Sequence, residues 1–453
     1  MSAFDRSPFI AIWETTRACA LACVHCRAEA MPRRDPDELT TEEGYRLLDR
    51  VAAFGSPPPI VVLTGGDPLR RPDLVSLVAY GARQGLSISL TPSGTAAVTR
   101  ERLCALQAAG LARLAVSLDG ATAETHDAFR GVKGSHRHTM RIIEHAQALG
   151  LPLQINTTVS SLTRADLPEL AQQMVEIKPT LWALFFLVPV GRAQAKQGLS
   201  AEKIESVLHW AAELAPQVPF GVKTTEAPHY HRVLAERGRG GRRAPAPDLI
   251  GRAGRAVTDG NGFVFVDHVG NICPSGFLPL TAGNVRHDDL VAVYREDPLF
   301  LSLRDPARLG GRCGACPYRE RCGGSRARAY AITGDPLAED PGCAYQPAGA
   351  ALPSIAGGSY GPTREQIEKA LCGVLDPELG MSVVDLGLVY DIQLVDGSAS
   401  ILMTLTAPGC PIHEVMPDWI RRAVMTVPGV KNVDVRITFD PPWTPDRVGV
   451  RSR

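Results

Sequence analysis

The stretch Phe9-Ile-Ala-Ile-Trp-Glu-Thr-Thr-Arg-Ala-Cys-Ala-Leu-Ala-Cys-Val-His-Cys-Arg27 reads as a short apolar strand, Phe9 to Trp13, running into a loop that carries Cys19, Cys23 and Cys26. The spacing is C-x3-C-x2-C, and three is the informative number of thiolates. A cubane iron–sulfur cluster has four irons and is normally closed by four thiolates, so such a loop leaves one iron open to an outside ligand. An open iron suits chemistry, whereas full ligation suits structure or electron transfer. The alternative from the residues alone is a structural zinc site with His25 as fourth ligand.

Outward from this loop, short apolar runs alternate with amphipathic helical stretches from residue 8 to about 190. Strands are expected at Phe9 to Trp13, Ile60 to Leu63, Ser87 to Leu90, Leu114 to Leu118, Leu153 to Val159 and Trp182 to Val188. Helices such as Thr41 to Phe54, Pro72 to Gly85, Arg100 to Ala109, Arg137 to Leu149 and Ala165 to Val175 lie between them. Six βα repeats imply an α/β fold, a parallel sheet with helices outside it. Residues that do chemistry then belong at the carboxyl ends of the strands. Cys19 to Cys26, Gly65-Gly-Asp-Pro68, Ser93, and Ser117 and Asp119 in Leu114-Ala-Val-Ser-Leu-Asp-Gly120 all fall there.

On these motifs the chain resembles the radical S-adenosylmethionine (radical SAM) superfamily. The resemblance implies a partial (β/α)6 barrel, a 4Fe-4S cluster on Cys19, Cys23 and Cys26, and SAM bound through its amino and carboxylate groups to the open iron. It implies that Gly65, Gly66, Asp67 and Pro68 form the turn that receives the SAM amino group, with Ser93, Ser117 and Asp119 as further cofactor contacts. Two glycines there would let backbone approach SAM closely. The implied activity is reductive cleavage of SAM to a 5′-deoxyadenosyl radical that abstracts hydrogen from substrate, fed by a one-electron donor such as flavodoxin or ferredoxin.

Further on, Cys313-x2-Cys316-x5-Cys322-x20-Cys343 supplies four thiolates, which close a cubane and equally suit tetrahedral zinc. Asp259-Gly-Asn-Gly-Phe-Val-Phe-Val266 and Ala282-Gly-Asn-Val-Arg286 resemble the hairpin that opens the auxiliary-cluster (SPASM or twitch) extension of radical SAM enzymes. A full SPASM domain places another cysteine where this chain has Arg326, so the resemblance implies one auxiliary 4Fe-4S cluster and leaves Cys273 over, either free or lending a ligand. The shortened pattern, with Gly323-Gly-Ser-Arg-Ala-Arg-Ala-Tyr330, resembles the radical SAM enzymes of alternative haem and haem d1 synthesis, which alter propionate, acetate or methyl groups on tetrapyrroles. Peptide maturases share the extension, many with a leader-binding domain ahead of the cysteine loop. Only 18 residues precede Cys19 here, which tilts the expected substrate from a peptide toward a tetrapyrrole.

After a Pro/Gly/Ser-rich linker, Gln346 to Pro362, a new unit begins with a helix expected over Thr363 to Val374, capped by Thr363. Asp376-Pro-Glu-Leu-Gly380, Val383-Val-Asp-Leu-Gly-Leu-Val-Tyr390 and Leu402-Met-Thr-Leu-Thr-Ala-Pro-Gly-Cys-Pro411 resemble, as far as Arg447, the iron–sulfur cluster assembly factors of the SufT-like and PaaD-like kind. The resemblance makes Cys410 the reactive, metal-handling cysteine, ahead of a helix Ile412 to Val427 whose amino terminus would stabilise a thiolate. It puts Asp376, Glu378 and Asp385 in an acidic motif; a turn cap and simple packing are the alternative roles. The expected domains are a radical SAM core at 1–225, an auxiliary-cluster domain at 226–345, a linker at 346–362 and an assembly-like domain at 363–453, with iron–sulfur assembly machinery as a partner.

Composition bounds the rest. With 453 residues, 45% apolar and 21% charged, the chain suits two or three globular domains. Its 48 basic and 48 acidic residues cancel, so no global field favours nucleic acid or an anionic membrane. The lack of a long apolar run or a signal pattern makes it an expected cytoplasmic protein. Eleven cysteines then point to metal rather than disulfides, with Cys104 and Cys372 expected as buried small hydrophobes in helices. The Gly/Arg run Arg237 to Arg243 reads as a surface loop or substrate lid rather than a nucleic-acid arm. Glu226 and His229, beyond a seventh strand Phe220 to Lys223, are candidate catalytic residues facing the substrate; a satisfied core histidine is the other reading of His229. The rival from another class is an iron–sulfur carrier protein.

Overall fold

Seven strands, β1 (Ile10–Glu14), β2 (Ile60–Thr64), β3 (Ile88–Leu90), β4 (Leu111–Ser117), β5 (Leu153–Val159), β6 (Leu181–Phe186) and β7 (Gly221–Thr225), pair in chain order and all in parallel. On the other edge, β8 (Phe263–Val266) lies parallel to β1 and turns back through β9 (Asn271–Cys273) to β10 (Gly283–Asn284). Residues from β1 through β8 line one common cavity, so the sheet curls into an open, partial barrel. The structure, a computed structural model, describes residues 4–238, 257–347, 364–374, 376, 381–395, 398–406, 413, 415–427, 430 and 432–447.

Parallel neighbours need crossovers, supplied by α1 (Thr41–Ala52), α2 (Leu74–Arg83), α3 (Arg100–Ala108), α4 (Ala123–Arg130), α5 (Ser135–Ala148), α6 (Leu167–Ile177) and α7 (Ala201–Leu214); α8 (His229–Glu236) follows β7. α1 shows why such segments start where they do: Thr40 and Glu43 close a capping box, and Leu47, Leu48 and Val51 form its buried stripe. That stripe packs with Leu63, Leu77, Leu90 and Leu103 in the layer between sheet and helices. On β5 the period of two is plain: Leu153, Ile155, Thr157 and Val159 are buried against this layer, while Gln154, Asn156 and Thr158 face the barrel interior.

Two helices depart from expectation. α4 buries only His126 and Phe129, and α8 buries His229, Tyr230, Arg232 and Val233, so neither carries the apolar stripe by which helices are recognised. Cys104 and Cys372 are exposed, not buried. In α3 the core-facing positions go to Leu103 and Leu106, which turns Cys104 outward.

The chain divides into two units, Met1–Ala350 and Ala351–Arg453. In the second, β11 (Val389–Val395) pairs antiparallel with β12 (Ser398–Met403), which pairs parallel with β13 (Asn432–Ile437). Helices Arg364–Leu371 and Met416–Met425 bring Ile367, Ile420 and Val424 onto Ile392 and Ile401 of the sheet. This is the small separate α/β domain expected at the carboxy terminus. Thr363, most of the linker, and the Gly/Arg run beyond Gly238 lie outside the described residues. Among the described residues no helix is long and apolar enough to cross a membrane.

Candidate active site

At the carboxyl ends of the strands, Cys19, Cys23 and Cys26 line a cavity of about 230 Å³ together with Gly65, Gly66, Ser93, Ser117, Asn156 and Thr158. Each sulfur meets a donor. The Leu21 N–H reaches Cys19 Sγ at 3.3 Å, with the Ser93 hydroxyl 3.2 Å away; Arg130 Nη1 lies 3.8 Å from Cys23 Sγ, and the Ala30 N–H 3.5 Å from Cys26 Sγ. Donors of this kind stabilise thiolates. Burial pushes the Cys19 thiol up, against the hydrogen bonds from Ser93 and Leu21 that pull it down.

The loop is held by its backbone. Arg17 Nε donates to the Ala28 carbonyl at 2.7 Å, Arg192 Nε to that of Cys23 at 3.1 Å, and the Arg192 N–H to that of Cys26 at 3.0 Å. Gly65, at φ +144°, and Gly66 pack directly on the same segment. The Gly66 N–H donates to Thr16 O at 2.7 Å, and a Cβ on Gly66 would stand 2.5 Å from the carbonyl oxygens of Arg17 and Ala18. No side chain fits in that approach.

Asp67, Pro68 and Asp119 stand behind this cavity rather than in its wall. Asp67 is buried; its N–H donates to Ala18 O at 2.7 Å and its carboxylate accepts from the N–H groups of Leu69 at 3.2 Å and Ser93 at 3.4 Å. Pro68 begins the turn that follows. Asp119 is fully buried, accepts the Thr158 N–H at 2.6 Å and forms an ion pair with Arg130. Burial opposes its ionisation, but Arg130 outweighs it and holds the carboxyl low. His25 stacks on Phe129 with ring centroids 4.0 Å apart, and burial followed by Arg130 pushes it down to about 4, leaving it neutral.

A second cavity, also of about 230 Å³, fills the barrel interior and shares Arg27, Thr64, Thr91, Asn156, Phe185 and Phe277 with the first. Glu226 faces it from just past β7, in the left-handed region at φ +57°, where a non-glycine residue is held only by its surroundings. The Ser325 hydroxyl donates to its carboxyl at 2.5 Å, and burial, reinforced by Asp259, pushes its pKa well up. His229 is not in this cavity. It lines a third, small one, with Nε2 3.0 Å from Asp340 Oδ2; burial opposes its protonation, yet Asp340 lifts it to about 9.

Cys313, Cys316, Cys322 and Cys343 line that third cavity together. Arg326 is buried beside them, donating to the carbonyls of Pro336 at 3.0 Å and Ala338 at 2.6 Å, with Nη2 3.7 Å from Cys313 Sγ. Cys273 stands apart on β9, its thiol pushed up to about 12 by burial and then Asp267. Among the described residues no three His, Cys, Asp or Glu side chains converge on a single ion.

In the second unit, Cys410 and Glu378 lie outside the described residues. Asp376 is buried, and Asp385 accepts the Ser382 hydroxyl at 2.7 Å in a local turn.

Arg130, Asn156 and Thr158 at the first cavity, Arg192 on the backbone of the cysteine loop, and Arg113 at the second cavity, were not anticipated. One signal was readable. Strands buried on both faces are ordinarily continuous apolar runs, so the alternate polar residues of Leu153-Gln-Ile-Asn-Thr-Thr-Val159 mark a cavity wall.

Comparison with known proteins follows the same division. A model described as the radical SAM superfamily matches residues 13–174, and one described as iron–sulfur cluster assembly protein matches 364–435. The chain is 39% identical over 351 residues to a Methanosarcina barkeri protein named AdoMet-dependent heme synthase, covering 77% of this chain and 99% of that relative. A protein of the same name from Nitratidesulfovibrio vulgaris is 39% identical over 339 residues, 74% of this chain and 92% of the relative. Among solved structures, Streptococcus suis SuiB bound to precursor peptide SuiA superposes at TM-score 0.59 over 75% of this chain and 76% of that one, a likeness of fold at 16% identity.

Proposed function

The chain belongs to the radical SAM superfamily and is an enzyme of that class, and from this premise we propose that it modifies a side chain of a tetrapyrrole in haem-type chemistry. Membership implies a 4Fe-4S cluster and SAM. The carrying observation is the similarity to the heme synthases, which extends over 77% of this chain and 99% of the Methanosarcina relative.

The first cavity fits the cofactors: three donor-supported cysteines on one side, and glycine backbone with the polar Ser93, Ser117, Asn156 and Thr158 on the others. When bound, cluster and SAM supply the electron and the 5′-deoxyadenosyl radical that takes hydrogen from substrate. The chain's own part is placement. Arg17 and Arg192 hold the cysteine loop, Gly65 and Gly66 set its distance from the β2 turn, and Asp119 positions Arg130. Glu226, its pKa pushed up by burial, faces the substrate cavity as a candidate catalytic acid. His229 is proposed as a positioning residue for Cys343 and Asp340.

Cys313, Cys316, Cys322 and Cys343 are proposed to hold one auxiliary 4Fe-4S cluster, with Arg326 filling the place of a further cysteine. The iron–sulfur assembly domain is proposed to deliver or repair these clusters through Cys410, in a cytoplasmic enzyme served by flavodoxin or ferredoxin.

The test is anaerobic incubation of the reconstituted protein with dithionite, SAM and iron coproporphyrin III, a tetrapyrrole with four propionates. Release of 5′-deoxyadenosine that rises with the porphyrin, and a porphyrin mass change confined to its side chains, are expected. An unaltered porphyrin with a fully loaded protein would overturn the tetrapyrrole reading. Absence of 5′-deoxyadenosine altogether would favour a carrier.

A further inference from the structure

The barrel cavity carries charge that hydrogen abstraction does not require. Ile12, Val62, Phe263 and Phe265 make its walls largely apolar, yet Arg113 of β4 and Lys223 of β7 both face it. Their positions are the alternate, inward ones of their strands, since Ala115 and Thr225 two residues on line the same space. Arg113 is buried and Lys223 half-buried, and a cation taken from water is costly unless an anion meets it.

Within the protein that anion is not supplied to Lys223. Burial and then Arg113 push the Lys223 ammonium down to about 8, and no carboxylate counters them among the described residues. Glu226 in the same wall has its carboxyl pKa pushed up by burial and accepts the Ser325 hydroxyl. Arg27, at the boundary with the first cavity, is already committed to Glu14 at 2.7 Å.

We infer that Lys223 and Arg113 form a seat for a substrate carboxylate inside the barrel, beneath the cysteine loop, from which the rest of the substrate projects toward the first cavity. Lys223 contributes a compact point charge from β7, and Arg113 adds its positive charge from β4 across the same cavity. The inference rests on the tetrapyrrole reading, which makes that carboxylate a propionate. A cavity of about 230 Å³ is smaller than the roughly 300–1,000 Å³ of pockets that enclose whole ligands, so it receives a propionate arm and part of a ring.

Binding without turnover tests this. Iron coproporphyrin III and its tetramethyl ester are titrated into the reconstituted protein with SAM and no reductant, and the Soret band is followed. The wild type is expected to bind the acid roughly tenfold to a hundredfold more tightly than the ester. Lys223→Met should lose most of that preference, and Lys223→Arg, which keeps the charge, should restore it. Equal binding of acid and ester by the wild type, or undiminished preference in Lys223→Met, would overturn the seat while leaving the tetrapyrrole reading intact. Should the wild type bind neither compound, the tetrapyrrole reading itself falls and the seat with it.

Discussion

Asp119 holds Arg130 in a buried ion pair, and Arg130 in turn sets Nη1 3.8 Å from the sulfur of Cys23. The two act as one unit linking the β4 end and α4 to the cysteine loop. Removing one partner of such a pair strands a buried charge. Asp119→Asn is therefore expected to lower stability by about 3–5 kcal/mol. The urea midpoint of the anaerobically purified protein measures it, and a change too small to resolve would show that Arg130 has another anchor.

Gly66 has a different role from a glycine that merely turns a corner. Its Cβ position lies 2.5 Å from the carbonyl oxygens of Arg17 and Ala18, so Gly66→Ala must displace the backbone that leads into Cys19. Loss of iron from that loop is expected on reconstitution, together with loss of 5′-deoxyadenosine release. A variant that takes up the wild-type complement of iron would mean the loop yields without cost.

The four-cysteine cavity has a stoichiometric test. With both sites filled, Cys313→Ala should reduce the iron content from roughly eight to roughly four per chain. SAM cleavage at the Cys19, Cys23 and Cys26 site should persist in Cys313→Ala and vanish in Cys23→Ala. One zinc per chain in the wild type would contradict the auxiliary-cluster assignment.

Glu43 offers a pH-dependent readout away from the metal sites. Its carboxyl accepts from Arg286 at 2.8 and 3.3 Å, and that contact above all pulls its pKa down to about 2. A carboxyl depressed by folding stabilises the native state above its unfolded pKa and loses that contribution as pH falls through its folded value. Glu43→Gln keeps a capping-box residue on α1 but removes the charge. The wild type should exceed the variant by about 1 kcal/mol from pH 7 down to about 5, and the gap should close between pH 4.5 and 2. A gap unchanged at pH 2 would show that Arg286 is not its source.

What was legible in the sequence is what is local. Apolar runs and helical stripes are properties of neighbouring residues, and they sufficed for six parallel βα units, a seventh strand, and the placement of Cys19 to Cys26 and Gly65 to Pro68 after β1 and β2. α4 and α8 were illegible because what they bury is mostly polar. Only the tertiary structure decided which cavity each side chain enters. Glu226 and His229 are near neighbours in the chain, but the left-handed turn at Glu226 sends them to separate cavities. Arg113 and Lys223 lie far apart in sequence and face one space because the sheet between β4 and β7 curls around it. Chain spacing carries no trace of such a meeting, since it arises from the closure of the barrel rather than from any local preference.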